Sequence, residues 1–405
     1  MRVWVPPRST PKEAMLCPVS WQRVAVFVSA TTSLAVLLAG CNGGSNSDHS
    51  SGPELRLLPR DSPGKCLDGT PGGYYVATAT NQSSQTKWVI RLQGGGECAS
   101  AACLAKTLEG LGSSAWFPKI GDMQYLTSRD PEENPLAATW NHIFIMYCSQ
   151  DLWSGTRTDV SQETWGLHFS GHLIFKAVVE QMMADLQDAT DVVLTGESAG
   201  GIGVWINQGW LKSVLPATTR LTLVPIAGFY GFAHKYVGPG RNPGNLVDFS
   251  EGNWPAITRL WNSHLDEECA RAIQGRQWAC MLSNYSRQYL NASAFVVEAQ
   301  TDAVQLADHD DVPKPAFWNA ATRQYVEEWK QNMTFAMHNT LLPGDGYFFP
   351  ACYLHTEFSK DAPVLLWNQA SNLTVAYGQA VAAWYIGQDV RLEDACGVRC
   401  GHCPK

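Results

Sequence analysis

The sequence predicts an α/β domain with a mostly parallel central sheet, helices on both faces and a disulfide framework. Three observations carry that reading. Short apolar runs of strand length alternate with stretches of helical periodicity. Glycine clusters stand directly after two of those runs. Twelve cysteines, an even number, occur in a chain that opens with the features of an export signal.

Five runs read as strands: Lys87–Leu92, Asn141–Tyr147, Asp191–Thr195, Leu221–Ala227 and Ser293–Ala299. Between the second and third, Phe169–Leu186 places Leu173, Ile174, Ala177, Val178, Met182 and Leu186 at the spacing of one helix face. Gly201–Leu211 reads as the helix that follows the third strand. No internal repeat and no second linker interrupt this pattern, so one domain from about Leu55 to Lys405 is expected.

Ahead of it, residues 1–41 read as a signal peptide or membrane anchor. Arg23 precedes the uncharged run Val24–Gly40, which is at the short end of spanning length. Leu38-Ala39-Gly40-Cys41 also has the form of a bacterial lipoprotein box, in which Cys41 would carry the lipid. Residues 42–54 are a flexible linker, rich in Gly, Ser and Asn. The folded part is therefore expected to be secreted or extracellular, with membrane attachment open. Asn81, Asn284, Asn291, Asn332 and Asn372 begin glycosylation sequons, which matter if the source has a eukaryotic secretory pathway.

Composition removes some classes of function. Charged residues make up 16% of the 405 and the net charge is −8, with no Lys/Arg-rich run. Nucleic acid is not an expected partner, because phosphate backbones are held by Lys and Arg. The 16 Trp residues read as packing, with stacking on sugar rings as the functional option. Cys396, Cys400, Cys403 and His402 have a spacing that could ligate zinc. No second Cys/His pair supports it, so disulfides are expected and no metal or cofactor is assigned.

The strongest local motif is Gly196-Glu197-Ser198-Ala199-Gly200, set between a strand and a helix. That context makes a nucleophile elbow, in which a sharp turn exposes Ser198 at the head of the sheet. Acyl transfer also needs N–H donors for the tetrahedral oxyanion. The candidates are the backbone groups of Gly95 and Gly96, in the glycine loop after the first strand, and of Ala199. Asp302, three residues beyond the fifth strand, is the expected acid. Asp308, Asp310 and Asp311 are its competitors, read as a cluster facing solvent. Candidate bases downstream are His309, His338, His355 and His402. His355 leads because Cys352 would hold it rigidly. It would take the Ser198 proton and return it to the leaving alcohol, with Asp302 fixing its tautomer.

Five segments together resemble the pectinacetylesterase and Notum family, over about Cys66 to His355. They are Cys66–Tyr75, Leu92–Cys98, Tyr147–Gly155 (Notum-like in its Trp-Ser-Gly), Gly196–Val204 and Ala351–His355. The resemblance implies an α/β-hydrolase fold and a metal-free serine esterase using Ser198, Asp302 and His355, and makes His355 the firm choice of base. It also suggests Cys66–Cys148 and Cys98–Cys103 bridges. The chain departs from the family at Gln93, where Glu is usual, and at Glu97, where plant members have Trp and where a negative charge beside the glycine loop is expected. Pro225–Tyr230 also lacks an acidic residue often found before its glycine. These departures bear on substrate. Removal of O-acetyl groups from a polysaccharide such as pectin is the leading expectation. Removal of a fatty acyl group from a protein or lipid, as by Notum, is the second. A catalytically inactive carbohydrate-binding protein is the third. Nothing in the sequence speaks to oligomeric state.

Overall fold

In chain order the elements are β1 (Leu55–Leu57), β2 (Gly73–Ala77), β3 (Lys87–Leu92), β4 (Asn141–Ile145), α1 (Gly171–Gln181), α2 (Met183–Leu186), β5 (Asp191–Glu197), α3 (Ala199–Val214) and β6 (Arg220–Ile226). They continue with α4 (Trp254–Trp261), α5 (Glu267–Ala272), α6 (Ser283–Ser286), β7 (Ser293–Val297), α7 (Ala320–Thr340), β8 (Gly346–Phe349), β9 (Leu366–Asn368), β10 (Leu373–Val375), α8 (Tyr377–Tyr385) and β11 (Arg391–Glu393). This computed structural model describes residues 52–358, 364–368 and 372–403, in one compact unit. The expected signal or anchor, Cys41 and most of the linker lie outside the described residues.

Nine strands form one sheet in the order β1-β2-β4-β3-β5-β6-β7-β8-β11, and β9 pairs with β10 apart from it. From β4 to β11 every neighbouring pair is parallel, while β2 runs antiparallel to β4 and β1 antiparallel to β2. Because successive side chains point to opposite faces, the central strands feed two cores. Ile90, Leu92, Val192 and Leu194 pack on one face with Ile174, Phe175, Ile202 and Ile206 of α1 and α3. Val89, Val193, Val224 and Val297 pack on the other with Ala380, Val381 and Trp384 of α8. A strand buried on both faces has to read as a continuous apolar run, which is why these strands are visible in the sequence.

The expected helix over Phe169–Leu186 breaks at Met182, whose N–H is shared between the carbonyls of Val178 and Val179. All ten cysteines from Cys66 onward are bridged: Cys66–Cys148, Cys98–Cys103, Cys269–Cys280, Cys352–Cys403 and Cys396–Cys400. The first two pairs are those the resemblance suggested. Sulfurs of the zinc-like spacing are thus engaged in disulfides. Of the sequon residues, Asn81, Asn291, Asn332 and Asn372 are exposed and Asn284 is half-buried.

Candidate active site

Ser198 joins β5 to α3 with φ 55° and ψ −122°, a left-handed conformation that costs a non-glycine residue energy and is kept only where its surroundings impose it. Two contacts impose it here. The Ser198 N–H donates to the Ile226 carbonyl at 2.9 Å. The turn also packs so closely under β3 that a Cβ on Gly200 would lie 2.0 Å from the Leu92 carbonyl oxygen. A side chain at that position is excluded, and the serine is lifted to the head of the sheet at the N-terminus of α3.

Asp302 and His355 come from the loops after β7 and β8. His355 Nδ1 lies 2.6 Å from Asp302 Oδ2, and the other carboxylate oxygen accepts the Gln305 N–H at 2.8 Å. Donation from Nδ1 leaves Nε2 free to accept a proton. That nitrogen is buried and has no hydrogen-bond partner, and His355 lines the same cavity as Ser198. Burial, the largest single influence, would lower the His355 pKa, but the Asp302 carboxylate together with Glu357 and Asp308 offsets it and the net shift is upward.

The glycine loop borders the same cavity. Gly95 and Gly96 have φ of 149° and 70°, conformations open to glycine. Gln150 Nε2 donates to the Gly95 carbonyl at 3.0 Å and the Tyr147 hydroxyl to the Gly96 carbonyl at 3.0 Å. In a trans peptide the N–H points opposite to the C=O, so the Gln150 contact turns the Gly96 N–H away from Gln150. Gly94 is tied to the elbow directly, its N–H donating to Glu197 Oε1 at 3.2 Å. Glu197 is held in turn by a buried fork from Arg91, at 3.0 and 2.8 Å. Ala199, the remaining oxyanion candidate, is the first residue of α3.

The other histidines stand apart from this arrangement. His309 is buried with Nδ1 2.6 Å from the Val247 carbonyl, and burial pushes its pKa down to about 4. His338, on α7, pairs with Glu393 at 2.7 Å, and His402 lies 3.2 Å from Asp394.

Two expectations need correction. Asp310 and Asp311 do not face solvent: both are buried, and Asp308 is half-buried at the cavity wall. Residues 305–309 form a π-helical turn that leads the segment inward. There Asp311 accepts from Arg241 at 2.6 Å and from the Gly244 N–H at 2.8 Å, and Asp310 from Trp329 Nε1 at 2.9 Å. Glu97 is likewise buried, accepting the Val247 N–H at 2.8 Å. Desolvation, opposed by that hydrogen bond and aided by Asp308, pushes its pKa up to about 8, so at neutral pH it brings no charge to the glycine loop. The departure at Gln93 is accommodated too, since its Oε1 accepts the Tyr147 N–H at 2.9 Å.

Sequence reasoning passed over Arg91, Tyr230 and Glu298. Arg91 sits inside an apolar strand run, where a lone charge could have been noticed. Tyr230 lies within hydrogen-bonding reach of Ser198 and Glu298 within reach of Asp302, relations that residue spacing does not reveal. The cavity shared by Ser198, His355 and the glycine loop has a volume of about 580 Å³, and its walls mix Arg91, Glu197 and Gln124 with Tyr75, Phe144 and Met146.

The profile of the pectinacetylesterase family matches residues 51–403. Palmitoleoyl-protein carboxylesterase NOTUM of Drosophila melanogaster is 29% identical over 304 residues, 72% of this chain and 42% of that protein. Notum1a of Danio rerio, a palmitoleoyl-protein carboxylesterase, is 28% identical over 79% of this chain and 63% of its own length. Pectin acetylesterase 5 of Arabidopsis thaliana is 27% identical over 84% of this chain and 82% of its own. The chain thus spans about half the length of the first Notum relatives. Among solved structures, the Wnt deacylase Notum from Drosophila superposes with a TM-score of 0.74 over 87% of this chain and 100% of that one, at 24% identity. The likeness shows the fold: this is an α/β-hydrolase sheet.

Proposed function

The chain belongs to the pectinacetylesterase family, and we propose that it is an extracellular serine carboxylesterase that removes O-acetyl groups from a polysaccharide such as pectin. Ser198 attacks the ester carbonyl while His355 Nε2 takes its proton, with Asp302 fixing the tautomer and stabilising the imidazolium. The oxyanion is received by N–H groups of the glycine loop, Gly95 and Gly96, and by that of Ala199. His355 then protonates the departing sugar hydroxyl, and water resolves the acyl-enzyme by the same steps in reverse. Acylated polysaccharide is the proposed partner, and the pectin acetylesterase relative supports that class. Five disulfides fit an oxidising, extracellular setting. Among the described residues no helix is long and apolar enough to cross a membrane.

One observation favours a short acyl group. The wall of the cavity holds the buried Arg91–Glu197 ion pair, whose side chains are 5% and 10% exposed. A long fatty chain would have to share the cavity with that pair and with Gln93 and Gln124 as well as with Tyr75, Phe144 and Met146, and would leave those polar groups poorly solvated.

The test is hydrolysis of p-nitrophenyl esters of increasing chain length by wild type and Ser198→Ala, followed by acetylated pectin. The proposal expects a preference for acetate and a loss of more than about a thousandfold in the variant. Preference for chains of about eight carbons or more, supported by cavity burial of the tail, would replace the substrate with a Notum-like fatty acyl group. Equal, negligible rates from two folded proteins would sink the esterase reading.

A further inference from the structure

We infer that Glu298 is a positioning residue of this site: a carboxylic acid that keeps its proton, donates it in a hydrogen bond to the Asp302 carboxylate and so steadies the Asp302–His355 pair. The inference rests on the catalytic reading of Ser198, Asp302 and His355.

Glu298 follows directly on β7 and is fully buried. Its Oε2 accepts the Phe229 N–H at 2.8 Å, from the turn after β6, and its Oε1 accepts its neighbour Ala299's N–H at 3.1 Å. The same side chain lies within hydrogen-bonding reach of Asp302. A hydrogen bond between two carboxyl groups needs a proton, and two touching carboxylates inside a protein cannot both ionise. The surroundings decide where that proton rests. Asp302 accepts from His355 Nδ1 at 2.6 Å and from the Gln305 N–H at 2.8 Å, so it faces a group that becomes a cation during the reaction. Among the ion pairs of the described residues none includes Glu298. The proton therefore belongs to Glu298. Burial first, and the Asp302 charge second, push its pKa well above the ordinary glutamate value against the two backbone donors.

The groups facing Glu298 are Asp302 on its own loop and the Tyr230 phenol on the loop after β6, with His355, from the loop after β8, acting through Asp302. A neutral acid gives Asp302 an additional hydrogen bond without adding charge. It also ties that aspartate to the Phe229 turn, which leads straight to Tyr230 beside Ser198. Loss of the proton would set a second negative charge against Asp302. The His355 imidazolium would then be stabilised further, so that more of it stays protonated and cannot accept the Ser198 proton.

The experiment compares wild type, Glu298→Gln and Glu298→Leu, with kcat and KM for p-nitrophenyl acetate measured across pH. Infrared difference spectra of the carboxylic-acid C=O stretch are recorded alongside. Glutamine keeps both a donor for Asp302 and an acceptor for Phe229, whereas leucine keeps neither. Glu298→Leu is expected to lower kcat about ten- to hundredfold with KM little changed. Glu298→Gln should restore most of that loss and remove the alkaline limb of the wild-type profile. At neutral pH the wild type should show a protonated-carboxyl component that is missing from Glu298→Gln, on top of the absorption of Glu97 and Asp310 that the two proteins share. The inference is overturned if Glu298→Leu matches wild type, if folded Glu298→Gln is as slow as Glu298→Leu, or if the band is unchanged between wild type and Glu298→Gln. Should Ser198→Ala hydrolyse as fast as wild type, the esterase reading fails instead, and the infrared comparison still decides whether Glu298 holds its proton.

Discussion

Glu97→Gln should flatten the dependence of stability on pH. Glu97 is buried between the glycine loop and the Val247 segment, and its carboxyl pKa is pushed up from 4.5 to about 8 by desolvation. Between those two values the folded chain holds a proton that the unfolded chain has released. Stability contributed by this group is therefore complete below about pH 4.5 and is lost as pH rises through about 8. At about 1.4 kcal/mol per pKa unit, the loss over the three units between about pH 5 and 8 is about 4 kcal/mol. His309, 3.7 Å away, adds no counter-charge over that range because its own pKa lies at about 4. Glutamine has nearly the shape of the protonated acid and retains an oxygen for the Val247 N–H, but it never ionises. The assay is guanidinium unfolding at about pH 5, 6, 7 and 8 with the disulfides intact. The wild-type and variant curves should diverge by about 4 kcal/mol toward the alkaline end. Curves that stay parallel within about 1 kcal/mol would refute the claim that Glu97 is neutral in the folded protein.

Two further outcomes follow from the same geometry. Because the Asp302 carboxylate, aided by Glu357 and Asp308, raises His355 above 6.5 despite its burial, and the proposed catalysis needs the neutral imidazole, kcat/KM for p-nitrophenyl acetate should fall as pH drops through a midpoint above 6.5. Asp302→Asn should move that midpoint down and cost about four orders of magnitude in kcat, and a wild-type midpoint below 6.5 would contradict the pairing. Gly200→Ala puts a Cβ 2.0 Å from the Leu92 carbonyl oxygen. It should abolish soluble expression or lower the melting temperature by about 5 °C or more, and a variant melting within about a degree of wild type would show that the elbow is looser than its geometry states.

The five strands expected from the sequence are all present, and for one reason. β3 to β7 are covered on both faces, so their burial is written as unbroken apolar runs. Edge strands leave no such trace: β1 is largely exposed, β11 buries only Leu392, and both are three residues long. β8 is fully buried but only four residues long, with a glycine at its start. The Ser198 elbow was legible because its chemistry depends on local geometry, glycines at fixed offsets between a strand and a helix. His355 needed the wider resemblance to separate it from three other histidines, since a pairing across 53 positions is set by the sheet order and not by spacing. Polarity misled where burial was involved. Asp310, Asp311 and Glu97 look like surface residues because acidic side chains usually are. Nothing in the local sequence shows that Arg241, Trp329 and the Val247 N–H wait to receive them.

Those misread acids share a logic with the site they surround. The chain carries a net charge of −8, and Glu97, Glu197, Glu298, Asp302, Asp310 and Asp311 are all buried. Left ionised and unpaired, they would set a negative field against the oxyanion that an acyl-transfer reaction must stabilise. Each is dealt with by one of two means. Glu197 is matched by Arg91 and Asp311 by Arg241 and Lys235, while Asp302 is held by hydrogen bonds from His355 and the Gln305 N–H. Glu97, Glu298 and Asp310 face no such partner close by. Desolvation raises them, to about 8 for Glu97, well above the ordinary value for Glu298 and to about 7 for Asp310. Pairing holds over a wide pH range, whereas retention of a proton does not. Alkaline conditions should therefore weaken this site from several directions at once, through the glycine loop at Glu97, the triad at Glu298 and the α7 contact at Asp310. Single substitutions to the amide separate these routes, because each removes one ionisation and leaves the others in place.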